Sequence, residues 1–197
     1  MSFFASSNDG KPYINWGSDA VQWKKGKETF QPQQAIFDME NYKWGYMAIQ
    51  TGSVDKVLVH NSSPPPARPA GTKKNLQGKD VPLYDKAFAV DVLFGKEFGT
   101  DRLFEWSSTQ LGSVKAFEKL LADYEAGKAA NPGKVPLVVF GPHIHEKIGK
   151  GSTNIPGLKI TQWLDRPADL PQYDPNAPKA AANTPMAEPP LAASGEF

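Results

Sequence analysis

The sequence predicts a mainly β domain, a five-stranded barrel of the oligonucleotide-binding type (OB-fold-like) with one helix, followed by a disordered tail. Three observations carry this expectation. Short runs rich in aromatic and β-branched residues recur between turns of Gly, Pro, Asn and Ser. Only one stretch, 107–127, has helical periodicity. That helix falls between the third and fourth strands, the order of a small Greek-key barrel.

The elements follow from local chemistry. Ile36–Met39 and Lys43–Gln50 read as strands, and Thr51-Gly52-Ser53 turns the second into Lys56–His60, giving a hairpin. An excursion from Asn61 to Pro82 holds Pro64, Pro65, Pro66 and Pro69 and the cations Arg68, Lys73, Lys74 and Lys79. Connections this long inside a domain are usually functional or disordered. Ala87–Phe94 alternates, with Phe88, Val90, Val92 and Phe94 on one side, and Arg102–Trp106 is a short strand. Ser107 and Gln110 have capping-box spacing and Gly127 stands where a C-terminal cap belongs. Between them Leu111, Val114, Phe117, Leu120, Leu121 and Tyr124 form one apolar stripe, assigned to the core. Val135–Phe140 reads as a buried strand and Gly141–Gly157 as a loop. Leu158–Leu164 closes the domain, with Leu158, Ile160 and Gln162 on one face and Lys159, Thr161 and Trp163 on the other.

A chain of 197 residues holds one domain plus a tail. The boundary is placed at Arg166, giving a domain over 1–166 and a tail over 167–197. Seven of the 18 prolines fall in those last 31 residues, a composition that buries too little apolar surface to offset its ordering entropy. The tail carries Asp169, Asp174, Glu188 and Glu196 against Lys179, a net −3, which leaves +4 for the body out of a total of +1. A basic body with an acidic tail suits an anionic ligand. A mean hydropathy of −0.47 and the lack of a long apolar run argue against a membrane span. With no cysteine and no secretory leader, a cytoplasmic location is expected, that of the host if the chain is phage-encoded.

The aromatic residues supply the candidate site. In Tyr42-Lys43-Trp44-Gly45-Tyr46, strand alternation puts the three rings on one face and lets Gly45 admit close backbone approach. Such a face suits stacking of unpaired bases, at roughly 1–3 kcal/mol per base, although the same rings would also fill a core. Trp23-Lys24-Lys25-Gly26-Lys27 is either a solvated hairpin or a cationic contact. Gly149-Lys150-Gly151 lacks the earlier glycine and following hydroxyl of a phosphate loop. What remains is a Gly-rich loop offering Lys147 and Lys150 to a phosphate. His143 and His145 with Glu146 match no strong metal signature, and no nucleophile elbow or dinucleotide fingerprint occurs. The expectation is a binding protein without catalysis, metal or cofactor.

The opening Met1-Ser2-Phe3-Phe4, the segment Phe37–Tyr46 and the closing Ile160–Leu170 resemble a group of short phage and prophage proteins, similar in organisation to tailed-phage single-stranded DNA-binding proteins. The resemblance implies one oligonucleotide-binding barrel, a role in DNA replication or recombination, and a tendency to form homodimers. It also implies an acidic tail ending in an aromatic residue that docks replication proteins, here Glu196 and Phe197. The expected DNA surface combines Trp16, Trp23, Trp44, Tyr46 and Trp163 as stacking rings with Lys24, Lys25, Lys27, Lys73, Lys74, Lys147 and Lys150 along the backbone. Two other readings stand beside it. One is a phage structural or assembly protein whose aromatic face binds protein, and the other a metal-dependent nuclease at His143 and His145.

Overall fold

The computed structural model describes residues 11–51, 53–149 and 151–172. Among them run the strands β1 (Tyr13–Gly17), β2 (Gln22–Lys25), β3 (Glu28–Phe30), β4 (Gln34–Phe37), β5 (Lys43–Gln50) and β6 (Ser53–His60). They continue as β7 (Thr72–Lys74), β8 (Asp80–Pro82), β9 (Asp85–Leu93), β10 (Leu103–Ser108), β11 (Lys134–Ile148) and β12 (Gly151–Asp165). One α-helix, α1 (Leu111–Lys128), lies between β10 and β11. The described residues are mainly β with a single α-helix, as the sequence predicts.

The closed five-stranded barrel is not what forms. Ten strands build one mixed sheet with the path β12-β11-β4-β9-β10-β1-β2-β3, from which the β5–β6 hairpin branches at β9, while β7 and β8 pair separately. The branch has a simple cause. β9 gives one edge to β10 and shares the other between β4, at Val92 and Leu93, and β5, at Asp85 to Ala89. Among the described residues no ladder then joins β12 to β3. The sheet nevertheless curls until its far strands meet through side chains. The rings of Trp23 on β2 and Phe140 on β11 lie 5.1 Å apart. Trp16 Nε1 donates to the Asn154 carbonyl at 2.9 Å, and Asn154 Nδ2 donates to the Ser18 carbonyl at 2.7 Å.

Inside the curl sits a core dominated by rings. Trp106 is fully buried, with Phe88 at 4.7 Å and Trp23 at 5.3 Å, both edge-on. Such pairs contribute about 0.5–1.5 kcal/mol each beyond the area they bury. A smaller cluster, Leu93, Val135 and Leu170 with Ile36 and Leu103, lies apart from this core. Leu170 therefore belongs to the folded unit, and the boundary at Arg166 falls four residues early. Residues 167–170 are also held by Asp169, which pairs with Arg102, while Arg166 reaches the buried Asp38 at 2.6 Å. The tail beyond Gln172 lies outside the described residues.

Several local expectations are corrected. The segment Gly141–Gly157 is not a loop but most of a long hairpin turning between Ile148 and Gly151. Gly141 and Gly157 face each other across it, and a Cβ at Gly157 would collide with the Pro142 carbonyl, so glycine there permits close pairing. Ser107 lies in β10, and α1 starts after Gln110, whose N–H donates to Ser108 Oγ at 3.0 Å. Gly127 is inside the helix, where any Cβ would strike the Trp163 indole. That indole reaches α1 because the register slips at Leu137/Val138 and leaves Thr161 unpaired. One extra residue reverses the alternation. Trp163 thus joins the side of Leu158 and Ile160 and packs against Tyr124 at 5.5 Å. The strands β1 to β3 extend the sheet beyond the predicted set, with Trp23-Lys24-Lys25 leading into a tight turn at Gly26, whose φ is +60°.

Candidate nucleic-acid interface

A groove opens where β5 leaves the main sheet path. Tyr42, Trp44 and Tyr46 share its floor with Phe88 and Lys86 of β9, and the ladder sets Trp44 opposite Phe88 and Tyr46 opposite Lys86. One wall is α1, through Val114, Phe117, Glu118 and Leu121. The helix is locked to the floor by parallel stacking of Phe117 on Phe88 at 4.2 Å and an edge contact of Phe117 with Tyr42 at 5.4 Å. The other wall is Pro65 and Pro66 of the excursion between β6 and β7. The enclosed space is about 380 Å³, within the range of small-ligand sites.

Gly45 makes this wall possible. Its φ is +151°, a conformation strained for any L side chain, and a Cβ would collide with the Val57 carbonyl and stand 3.0 Å from Pro66 Cγ. The proline therefore rests directly on the strand backbone between the two rings. Further along the excursion, Arg68 places its guanidinium over the Tyr46 ring at 5.1 Å, a cation–π contact. Lys73 pairs with Asp85 at 2.6 Å, and the Tyr84 hydroxyl donates to Asp55, so the excursion is tied to the start of β9 and to β6. Burial and then the nearby Glu125 carboxylate push the Tyr42 phenol up, against an opposing effect of Lys128. That floor residue stays neutral at physiological pH.

The predicted residues separate into three groups. Trp44 and Tyr46 meet in the groove, Trp44 remaining 37% exposed. Trp16 and Trp23, each 6% exposed, are core residues whose ring faces are already covered, so they offer no stacking surface. Trp163 is half-buried in a cleft between α1 and β12 lined by Lys119 and Lys159. The cations are dispersed. Lys24, Lys25 and Lys27 lie on the β2–β3 hairpin, separated from β5 by β9, β10 and β1, with Lys25 over Phe104 at 5.1 Å. Lys73 and Lys74 are held by Asp85 and Asp80, and Lys147 is exposed on β11. Lys150, Glu196 and Phe197 lie outside the described residues. His145 shares a 2.9 Å hydrogen bond with Asn154, and His143 lies beside Trp16, with ring centres 6.5 Å apart.

Sequence reasoning missed Lys86, Arg68 and the helix wall. Lys86 stands two residues before Phe88, so alternation along β9 already placed it on the same face. Val114 and Leu121, assigned to the core, do pack against it, but they also line the groove. The exposed Leu111 shows the same rotation of the stripe, because Gly112, Ser113 and Ala116 take the tightest contacts. A Cβ on Gly112 would collide with the Asn154 carbonyl.

A second set of charges lies on the other side of β9 and β10. Lys11 pairs with Asp91 at 2.8 Å and Lys56 with Glu105 at 2.7 Å, and Asp91 and Glu105 are direct ladder neighbours. Burial raises the Asp91 carboxyl above its ordinary value, more than Lys11 lowers it. These carboxylates are matched by cations and stand apart from the ring face. Among the described residues no group of three His, Asp or Glu side chains could hold a metal ion, and no helix is long and apolar enough to cross a membrane. No family model, curated protein or solved structure matches the chain.

Proposed function

We propose that this is a sequence-nonspecific single-stranded DNA-binding protein of a phage or prophage, acting in replication or recombination, with the Trp44 groove as its base-stacking surface. The observation that carries the reading is the combination on one floor of a half-exposed Trp44 and the adjacent Tyr46, bordered by the cations Arg68 and Lys86. Flat rings open to solvent beside cations are what unpaired bases and their phosphates require. Duplex DNA, whose bases are already stacked, has no ring face to offer the groove. An oligonucleotide-binding-like fold is part of this reading, with a curled open sheet in place of a closed barrel: a hairpin, a strand, a helix and a closing hairpin wrap one aromatic core. The protein binds and protects strands without catalysis, and its tail, ending in Glu196 and Phe197, is the docking element for replication proteins.

Fluorescence anisotropy with labelled single-stranded and duplex oligonucleotides tests the proposal. Single strands should bind at low salt, with affinity falling steeply as salt rises because phosphate contacts release counterions. Trp44→Ala should weaken binding by about 1–3 kcal/mol. Defined homo-oligomers with no salt-dependent DNA affinity would instead favour a phage structural or assembly protein using the groove as a protein interface.

A further inference from the structure

The groove contains one feature that nonspecific stacking does not require. Glu118, on the helix wall, brings a carboxylate to an apolar site proposed to hold a polyanion. It has no hydrogen bond or ion pair among the described residues, and neither has Lys86 on the floor, so the two do not neutralise each other. Most other charges bordering this region are matched: Lys73 with Asp85, Lys115 with Glu146, Lys119 with Asp123. An unmatched carboxylate in a phosphate-binding groove repels its ligand unless a donor on that ligand meets it.

The two ends of the groove differ in charge. Arg68 lies over Tyr46, and Lys86 is the ladder neighbour of Tyr46, so cations gather at that end. Glu118 follows Phe117, whose ring stacks on Phe88, and Phe88 is the ladder neighbour of Trp44. The acceptor therefore belongs to the Trp44 end and the cations to the Tyr46 end. A nucleotide fits this polarity in one direction. Its phosphate lies towards Arg68 and Lys86, its base rests on Trp44, and the base edge faces Glu118.

We infer that Glu118 reads the edge of the base stacked on Trp44 and favours bases carrying an exocyclic amino group, cytosine among them, over thymine and uracil. This inference rests on the single-strand-binding reading and adds a base preference to it. The chemistry is that of a carboxylate, which can only accept. The cytosine N4 amino group donates to such an acceptor. Uracil and thymine offer only N3–H, between two carbonyl oxygens that repel the carboxylate. A site built around one acceptor disfavours the analogue that leaves it unmatched.

Oligo(dC) and oligo(dU) of equal length isolate this contact, since their bases have equal ring size and differ only at the edge. Anisotropy titrations above neutral pH keep cytosine unprotonated. The wild-type protein should prefer oligo(dC) by roughly fivefold, less than a fully buried bidentate pair would give because Glu118 is solvated. In Glu118→Gln the carboxamide can both donate and accept, so the preference should fall to less than about twofold. Affinity for both oligomers should rise as a negative charge leaves the groove. Equal affinities in the wild type, or an unchanged ratio in Glu118→Gln, overturn the base preference and leave single-strand binding standing. Failure of both oligomers to bind at low salt overturns the two together.

Discussion

Trp44 and Trp106 are the same residue type on strands that both pair with β9, yet Trp106 is fully buried while Trp44 is 37% exposed. Their substitutions should separate accordingly. Trp106→Ala empties the centre of the ring cluster and should cost about 3–5 kcal/mol in urea melts. Trp44→Ala should cost less than about 1 kcal/mol of stability while removing most single-strand affinity; a stability loss as large as that of Trp106→Ala would mean that Trp44 serves packing. Asp91 yields a pH prediction. Its folded-state pKa is raised by burial, so the folded protein holds this proton more tightly than the unfolded chain. The contribution of Asp91 to stability is then greatest at acid pH and declines as pH rises through the carboxylate range. Asp91→Asn, which cannot ionise, should gain stability relative to wild type over that same rise, and a relative loss would contradict the sign. At this scale the sequence was informative about direction but not about depth. Alternation placed the rings at 42, 44 and 46 on one side. Trp16, Trp23 and Trp44 all stand near a Gly, however, and only the curl of the distant β11–β12 hairpin decides which of them is covered.

At the scale of elements, the groove depends on the excursion resting against β5. Gly45→Ala forces a Cβ towards the Val57 carbonyl and Pro66 in a backbone conformation unfavourable to alanine. Strain of this kind costs about 1–3 kcal/mol. Single-strand affinity should fall with stability, and a fully stable Gly45→Ala with normal binding would show that the Pro66 wall is dispensable. Leu170 makes the corresponding claim for the end of the folded chain. Leu170→Ala removes a side chain 2% exposed in the smaller cluster and should cost about 2–5 kcal/mol; an unchanged melting temperature would restore the boundary at Arg166. Hairpin, helix and the strands β9 and β10 were legible because each has a local period. The β11–β12 hairpin was hidden by glycines that serve close pairing instead of a turn. The side of Trp163 was misread because period-two reasoning fails across an unpaired residue such as Thr161.

At the scale of the whole molecule, the mainly β class and the single helix of the described residues followed from composition and periodicity, whereas closure did not. Barrel or open sheet depends on how β9 divides its edge between β4 and β5, a long-range pairing that leaves no local mark. The dispersed cations have a consequence at this scale. Lys24, Lys27 and Lys147 lie outside the groove, so they should act on DNA through the general field and contribute to salt dependence more than to stacking. Replacing Lys24 and Lys27 together by glutamine should lower affinity mainly at low salt and leave fluorescence quenching at saturation unchanged.

The most direct test of the groove is a tryptophan fluorescence titration of the wild type and Trp44→Phe with single-stranded oligonucleotide at low salt. Three of the five tryptophans, Trp16, Trp23 and Trp106, are buried, so base stacking should quench chiefly Trp44. Trp44→Phe keeps a stacking ring but removes that emission. Stacking at the groove requires that most of the quench disappear while affinity, read by anisotropy, stays within about threefold, less than the loss of a stacked ring would cost. A quench that persists undiminished in Trp44→Phe, or a wild type that shows neither quench nor binding, would contradict it.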